Sequence, residues 1–210
     1  MAIKLAIFDF DGTLADTFPL FVESLNGLAV RHDFRQVEHH EVNRLRSMGA
    51  REILRDLRLP MHRVPRVLID FRVIMQQRSG ELRPFDGIAQ VLQSLADRQI
   101  MLALATSNSL ANVEAVLGQA LLGRFAAVEC GSGLFGKAHR LRKILQATRV
   151  ARTEAIYVGD EIRDAHAAKK IGVRFGAVGW GYTDFAALTR LGPDVAFNEP
   201  AELIGLADQG

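Results

Sequence analysis

Residues 4–17 read KLAIFDFDGTLADT. Lys4–Phe8 form a short apolar run of the kind a buried parallel strand needs. The run ends in Asp9-Phe10-Asp11-Gly12-Thr13. An Asp-Gly turn at a strand end explains Asp11 and Gly12. It leaves Asp9, set inside an otherwise apolar run, unexplained. Residues two apart on a strand point to the same side, so Asp9 and Asp11 both approach one small volume where the strand ends. Two carboxylates that close resist joint ionisation unless a cation sits between them. Magnesium, a hard cation that takes oxygen ligands, meets that need. Gly12 permits the sharp turn, and Thr13 can donate a hydrogen bond there.

Beyond this stretch the pattern turns helical. Thr17–His32 carries Phe18, Phe21, Val22, Leu25, Leu28 and Ala29 at helical spacing, with Pro19 in the first turn. Residues 38–59 read as one or two helices interrupted near Gly49, and Pro65–Ser79 as another. No strand is read between 16 and 84. After Pro84–Gly87 the character changes. Strands at Met101–Ala105, Phe125–Cys130, Ala155–Val158, Arg174–Val178 and Val195–Phe197 alternate with helices, the last at Ala201–Ala207. Such alternation predicts right-handed β-α-β units and a parallel sheet. The fold class is α/β: a Rossmann-like core from residues 1–15 and 85–210, interrupted by an all-helical cap at 16–84.

Ligands of open parallel sheets bind outside the carboxyl ends of the strands. Thr106, Ser107 and Asn108 follow the second strand, where hydroxyls and free N–H groups suit an anion; taken alone, an ordinary helix cap is the simpler account. Gly159-Asp160-Glu161-Ile162-Arg163-Asp164 follows another strand. It brings Asp160 to the same sheet edge, with Asp164 one helical turn on; compensation of the helix dipole is the plainer account of both acids. GSGLFGK at 131–137 matches parts of a dinucleotide fingerprint and of a P-loop. Ala138 stands where a P-loop places Ser or Thr, so the glycines read instead as the approach that delivers Lys137 to a phosphate. Together, acid, hydroxyl, acid and lysine at four strand ends form a set suited to a phosphate ester and magnesium.

The chain has 210 residues, 49% hydrophobic and 24% charged, with a formal net charge of +2. That balance gives no reason to expect nucleic acid as a partner. Cys130 is the only cysteine, so no intramolecular disulfide forms. No signal peptide or membrane span is read, and a cytoplasmic location is expected. No oligomeric state is assigned.

DFDGTLADT at 9–17, ATSNS at 105–109, Lys137 and GDEIRDAHAAKKIGV at 159–173 resemble the motifs of the haloacid dehalogenase superfamily. The likeness is to its phosphatase branch with a helical cap, and in particular to phosphoglycolate-phosphatase-like members. The resemblance implies that Asp9 is the nucleophile and forms an aspartyl-phosphate. Asp11 then protonates the leaving oxygen and activates the hydrolytic water. It implies that Thr106 and Lys137, with backbone N–H groups near Gly12 and Ser107, bind phosphoryl oxygens. It further implies that magnesium is held by Asp9, Asp160 and the main-chain carbonyl of Asp11, with Asp164 supporting that shell. The implied partner is a small-molecule phosphate ester. The dehalogenase branch lacks the second acid of the first motif, so Asp11 argues for phosphoryl transfer.

The cap is expected to exclude water and set specificity. Arg46 and Arg51 flank the break between cap helices and are candidates to meet a substrate carboxylate, the alternative being solvated helix charges. His39, His40, His62, His139 and His166 read as surface or helix positions, and Trp180 either walls the site or packs nearby. Two other functions fit parts of the pattern: a phosphosugar mutase of the same superfamily, and a non-catalytic phospho-accepting signalling or binding module.

Overall fold

The computed structural model describes residues 2–131 and 136–208. The centre of GSGLFGK, residues 132–135, therefore lies outside the described residues, although Gly131, Gly136 and Lys137 do not. Along the chain, β1 (Leu5–Phe8) precedes four helices: α1 (Phe18–His32), α2 (Val42–Arg46), α3 (Ala50–Asp56) and α4 (Val64–Gln77). There follow α5 (Ile88–Asp97), β2 (Met101–Ala105), α6 (Leu110–Leu122), β3 (Phe125–Glu129), α7 (Lys137–Thr148), β4 (Ala155–Gly159) and α8 (Ile162–Ile171). The chain closes with β5 (Arg174–Val178), α9 (Phe185–Thr189) and β6 (Val195–Phe197). These strands form one sheet, paired in parallel throughout, in the order β3-β2-β1-β4-β5-β6. Strand order reverses at β1, which pairs with both β2 and β4. The crevice beyond the carboxyl ends of these strands is where such a sheet takes its ligand.

The period of two along β1 sorts its residues between two cores. Ala6, Phe8 and Phe10 pack with Ile88, Leu92 and Leu95 of α5. Leu5 and Ile7 pack with Leu141 and Ile144 of α7 and Ala168 of α8. The helices of the insert bury a third cluster of their own, including Leu28, Phe34, Leu45, Phe71 and Met75. The two chain crossings into and out of the insert run side by side. Asp16 N–H donates to Arg83 O at 3.0 Å, and Phe85 N–H to Leu14 O at 3.0 Å.

Two elements differ from the sequence expectation. The terminal α-helix is instead a 3₁₀ run, Pro200–Asp208. Residues three apart eclipse in a 3₁₀ helix, and Leu203 and Leu206 are both fully buried on that spacing. Helix α6 breaks at Gly118, whose φ of +73° only glycine adopts readily.

Candidate active site

Asp9 continues the ladder of β1, its N–H donating to Val158 O at 2.9 Å. Parity with Leu5 and Ile7 turns its side chain toward α7 and α8. There Lys137, the first residue of α7, donates through Nζ to Asp9 Oδ2 and to Asp164 Oδ1. Both partners of each pair are at most 2% exposed. Burial opposes the charge on Lys137, but the carboxylates of Asp164 and Asp9 outweigh it and hold its pKa above the ordinary lysine value. Asp164 also accepts from Tyr157 OH at 3.1 Å. Its other oxygen accepts from Glu161 N–H at 3.0 Å, closing the first turn of α8. Burial raises its pKa to about 6, against the pull of Lys137.

Asp160, at the end of β4, is fully buried. Thr13 Oγ1 donates to its Oδ1 at 2.8 Å, and Tyr182 N–H donates to its Oδ2 at 2.8 Å. Burial, with the nearby charges of Glu161, Asp9 and Asp164, pushes its pKa well above the carboxylate range. Asp9, Asp160 and Asp164 each offer an oxygen within 4.8 Å of the others. Among the described residues Lys137 pairs with two of these three buried carboxylates, Asp9 and Asp164, while Arg163 forms a two-point pair with Glu161. Gly12 closes the cradle at φ +74°, and a Cβ there would overlap both the Asp160 carboxylate and the Tyr182 ring. An all-oxygen set short of positive charge is the donor chemistry that a hard divalent cation takes.

The Asp11 side chain stands outside that cluster, so the structure does not group the Asp9 and Asp11 carboxylates around one cation as the strand parity suggested; the family resemblance assigned only the main-chain carbonyl of Asp11 to the metal. Asn108 Nδ2 donates to both its carboxylate oxygens, at 3.0 and 3.2 Å. Burial, then the charge of Asp9, raises its pKa to about 7. Thr106 and Ser107 lie in the same loop as Asn108. Thr106 Oγ1 accepts from Asn108 N–H at 2.9 Å. Neither residue caps α6; that place belongs to Ser109, whose Oγ accepts from Asn112 N–H at 3.2 Å.

A cavity of about 230 Å³ opens above these strand ends. Phe21, Leu25, Phe71 and Met75 of the cap form apolar walls, and Asp11, Ser107, Asn108 and Arg163 form its polar end. Apolar enclosure with a few convergent polar groups is the usual form of a small-molecule site. The two cap arginines singled out from sequence divide here. Arg46 lines the cavity, but it spends Nε on Tyr182 O at 3.0 Å and Nη2 on Gly181 O at 2.9 Å. Its guanidinium lies 4.9 Å over the Phe18 ring. Arg51 is exposed and does not line the cavity, because it faces outward from α3. Trp180 packs away from the cavity, donating Nε1–H to Thr13 O at 3.1 Å and meeting Phe85 edge-on. Its neighbour Tyr182 lines the cavity instead and shares a 2.9 Å hydrogen bond with Thr17 Oγ1. All five histidines read as surface or helix positions are exposed.

Sequence reasoning named Asn108 only as part of a candidate anion loop and passed over Tyr182 and Arg72; all three line the cavity. Asn108 and Tyr182 at least fell within stretches read as following strands, ATSNS and GWGYTD. Arg72 is one more charge in a cap helix and carries no signal of its own.

Residues 6–178 match the family model for haloacid dehalogenase-like hydrolases. The chain belongs to that family. It is 32% identical to a phosphoglycolate phosphatase of Synechococcus elongatus, over 99% of this chain and 98% of the relative. A phosphoglycolate phosphatase of Agrobacterium fabrum is 34% identical over 95% of this chain and 90% of its own length. Among solved structures, CbbY from Rhodobacter sphaeroides in complex with phosphate superposes with a TM-score of 0.69. It is 28% identical, with 96% of each chain covered. The protein is a phosphatase of this family, a phosphoric monoester hydrolase acting on a small phosphate ester. No described helix is long and apolar enough to cross a membrane.

Proposed function

We propose that the protein is a magnesium-dependent phosphatase for a small phosphorylated metabolite of the phosphoglycolate kind, working through an aspartyl-phosphate on Asp9. The observation that carries this reading is the buried arrangement of Asp9 and Asp164 on Lys137, with Asp160 beside them. The relatives named phosphoglycolate phosphatase supply the substrate class, and favour net hydrolysis over the mutase alternative.

In this reading residues 1–15 and 85–210 are the catalytic core, and residues 16–84 are the cap that closes over it. Asp9 attacks phosphorus in line with the leaving oxygen, and Lys137 keeps its carboxylate oriented for that attack. Asp11 gives its proton to the departing alkoxide. It then takes a proton from the water that attacks the phosphorus of the aspartyl-phosphate, releasing inorganic phosphate and restoring Asp9. A carboxyl group near pKa 7 suits both transfers at neutral pH. Asn108 holds Asp11 in place. Lys137, Thr106 and the N–H groups near Gly12 and Ser107 meet the phosphoryl oxygens, where charge develops. The apolar cap walls exclude competing water. Asp9, Asp160 and the main-chain carbonyl of Asp11 would hold magnesium. Asp164 supports them, held by Lys137 Nζ on one oxygen and by Glu161 N–H on the other. When bound, the ion neutralises carboxylate and phosphoryl charge.

The test is phosphate release from phosphoglycolate with magnesium, by the unaltered protein and by Asp9→Asn. Acid-quenched unaltered enzyme should carry a hydroxylamine-sensitive phosphoryl group, and the variant should carry none and turn over at background. Survival of activity in the variant would sink the nucleophile assignment.

A further inference from the structure

The cavity contains a guanidinium that phosphoryl transfer to Asp9 does not use. Arg72 sits in the middle of α4 and lines the cavity beside Asp11, Ser107 and Asn108. Its Nη2 donates to Ser107 O at 2.6 Å. The helix backbone is fastened at the same point, for Arg72 O accepts from Asn112 Nδ2 at 3.2 Å. Asn112 also donates to Asn108 Oδ1 at 2.9 Å. The loop that holds Asp11 therefore also fixes where Arg72 lies.

Several cap arginines have carboxylate partners. Arg35 and Arg44 pair with Glu41 and Asp56, and Arg78 with Glu23 and Glu81. Arg72 forms no ion pair among the described residues. Burial draws its pKa down, with the charge of Asp11 pulling the other way. A half-buried guanidinium without an anion is unfavourable unless something else supplies one. An arginine carries five N–H donors in a planar fork that matches a carboxylate at two points. One nitrogen of this fork donates to Ser107 O, and the residue lines the cavity. Arg46, which also lines the cavity and has no carboxylate partner among the described residues, is committed through Nε and Nη2 to the carbonyls of residues 182 and 181.

We propose that Arg72 binds a carboxylate carried by the substrate, so that the enzyme's preferred esters are short phosphorylated acids. This rests on the phosphatase reading above and deepens it. The loop of residues 106–108 serves both ends of such a molecule, meeting the phosphate through Thr106 and Ser107 N–H and holding Arg72 through Ser107 O. Only a compact acid fits that double use of one short loop. Apolar walls of Phe71 and Met75 strengthen the pairing by excluding water.

The experiment compares kcat/KM for phosphoglycolate and for ethyl phosphate, which has the same two carbons and no carboxylate. It uses the unaltered enzyme with magnesium, Arg72→Met and Arg72→Lys. The unaltered enzyme should prefer phosphoglycolate. In Arg72→Met the ratio of the two kcat/KM values should fall about 30-fold or more, the scale of losing one partner of a desolvated charge pair. Arg72→Lys should recover part of that ratio. The ratio does not depend on what fraction of a variant folds. Equal losses on both esters would overturn the inference, as would an unchanged ratio. So would an unaltered enzyme that prefers ethyl phosphate, or one that turns over other esters but neither of these. Failure of the unaltered enzyme on every phosphate ester would instead remove the phosphatase reading, and this inference with it.

Discussion

Lys137 shows what one residue does here. It reaches Asp9 from β1 and Asp164 from α8, and its Nζ also lies 5.9 Å from the centre of the Tyr157 ring. At pH 8 Asp164, raised to about 6, is ionised. Replacing Lys137 by Met would then leave buried carboxylates without their cation. Removing one partner of a buried pair costs about 3–5 kcal/mol. Lys137→Met should lose stability of that order in metal-free urea unfolding, and its kcat should fall about 10²–10³-fold. Unchanged stability would mean that the lysine does not neutralise this cluster. The sequence placed Lys137 on a phosphate because it stood after a strand and before a helix. Its two carboxylate partners were not legible there, since 128 and 27 residues separate it from them.

At the scale of elements, the contact between α2 and the loop of residues 179–184 joins the cap to the acidic cluster. Arg46 donates to the carbonyls of Gly181 and Tyr182, and Asp184 N–H donates back to Arg46 O at 2.9 Å. In the same loop Tyr182 N–H holds Asp160, and the Tyr182 ring meets Phe18 and Phe21 edge-on or tilted. Arg46→Ala removes both donors and the cation–π contact. Each such hydrogen bond contributes about 0.5–1.5 kcal/mol, so the cap should open more often. KM should rise several-fold, with a smaller change in kcat, and amide exchange should quicken at residues 181–184. A fall in kcat with KM unchanged would show that this contact does not govern closure. The sequence located the break between cap helices where Arg46 sits, but offered the residue either to a substrate carboxylate or to solvent. Spacing marks a charge at a helix end and is silent on which loop folds back over it.

At the scale of the molecule, the described residues form three apolar clusters: two flank the sheet, and one lies within the cap. Asp9 and Lys137 are each 2% exposed with the cap in this position. A substrate phosphate therefore reaches Asp9 only when its surroundings open, and movement of the cap is the expected route. A cap with its own core can move as a unit about the paired crossings near Ala15 and Pro84. Hydrogen exchange should show amides of α1–α4 opening at lower free energy than those of β1, β2 and β4. Inorganic phosphate with magnesium should slow exchange in the contact segments near Arg46, Arg72 and Ser107. Uniform exchange across cap and sheet would argue against independent cap motion.

The alternation of apolar strands and helices after residue 85, and its absence from 16 to 84, determined the α/β class and the helical insert. These patterns are local, with periods of 2 and 3.6 residues that a linear chain displays. The same local logic put Asp9, Asp11, Asp160 and Lys137 at strand ends. Only the tertiary structure decided what each of them meets. Strand order brings β4 beside β1, and with it Asp160 and Asp164 beside Asp9; the fold of the cap lays Arg72 on Ser107 and carries Arg51 away to solvent. Such pairings depend on contacts between residues distant along the chain, and no local spacing records them.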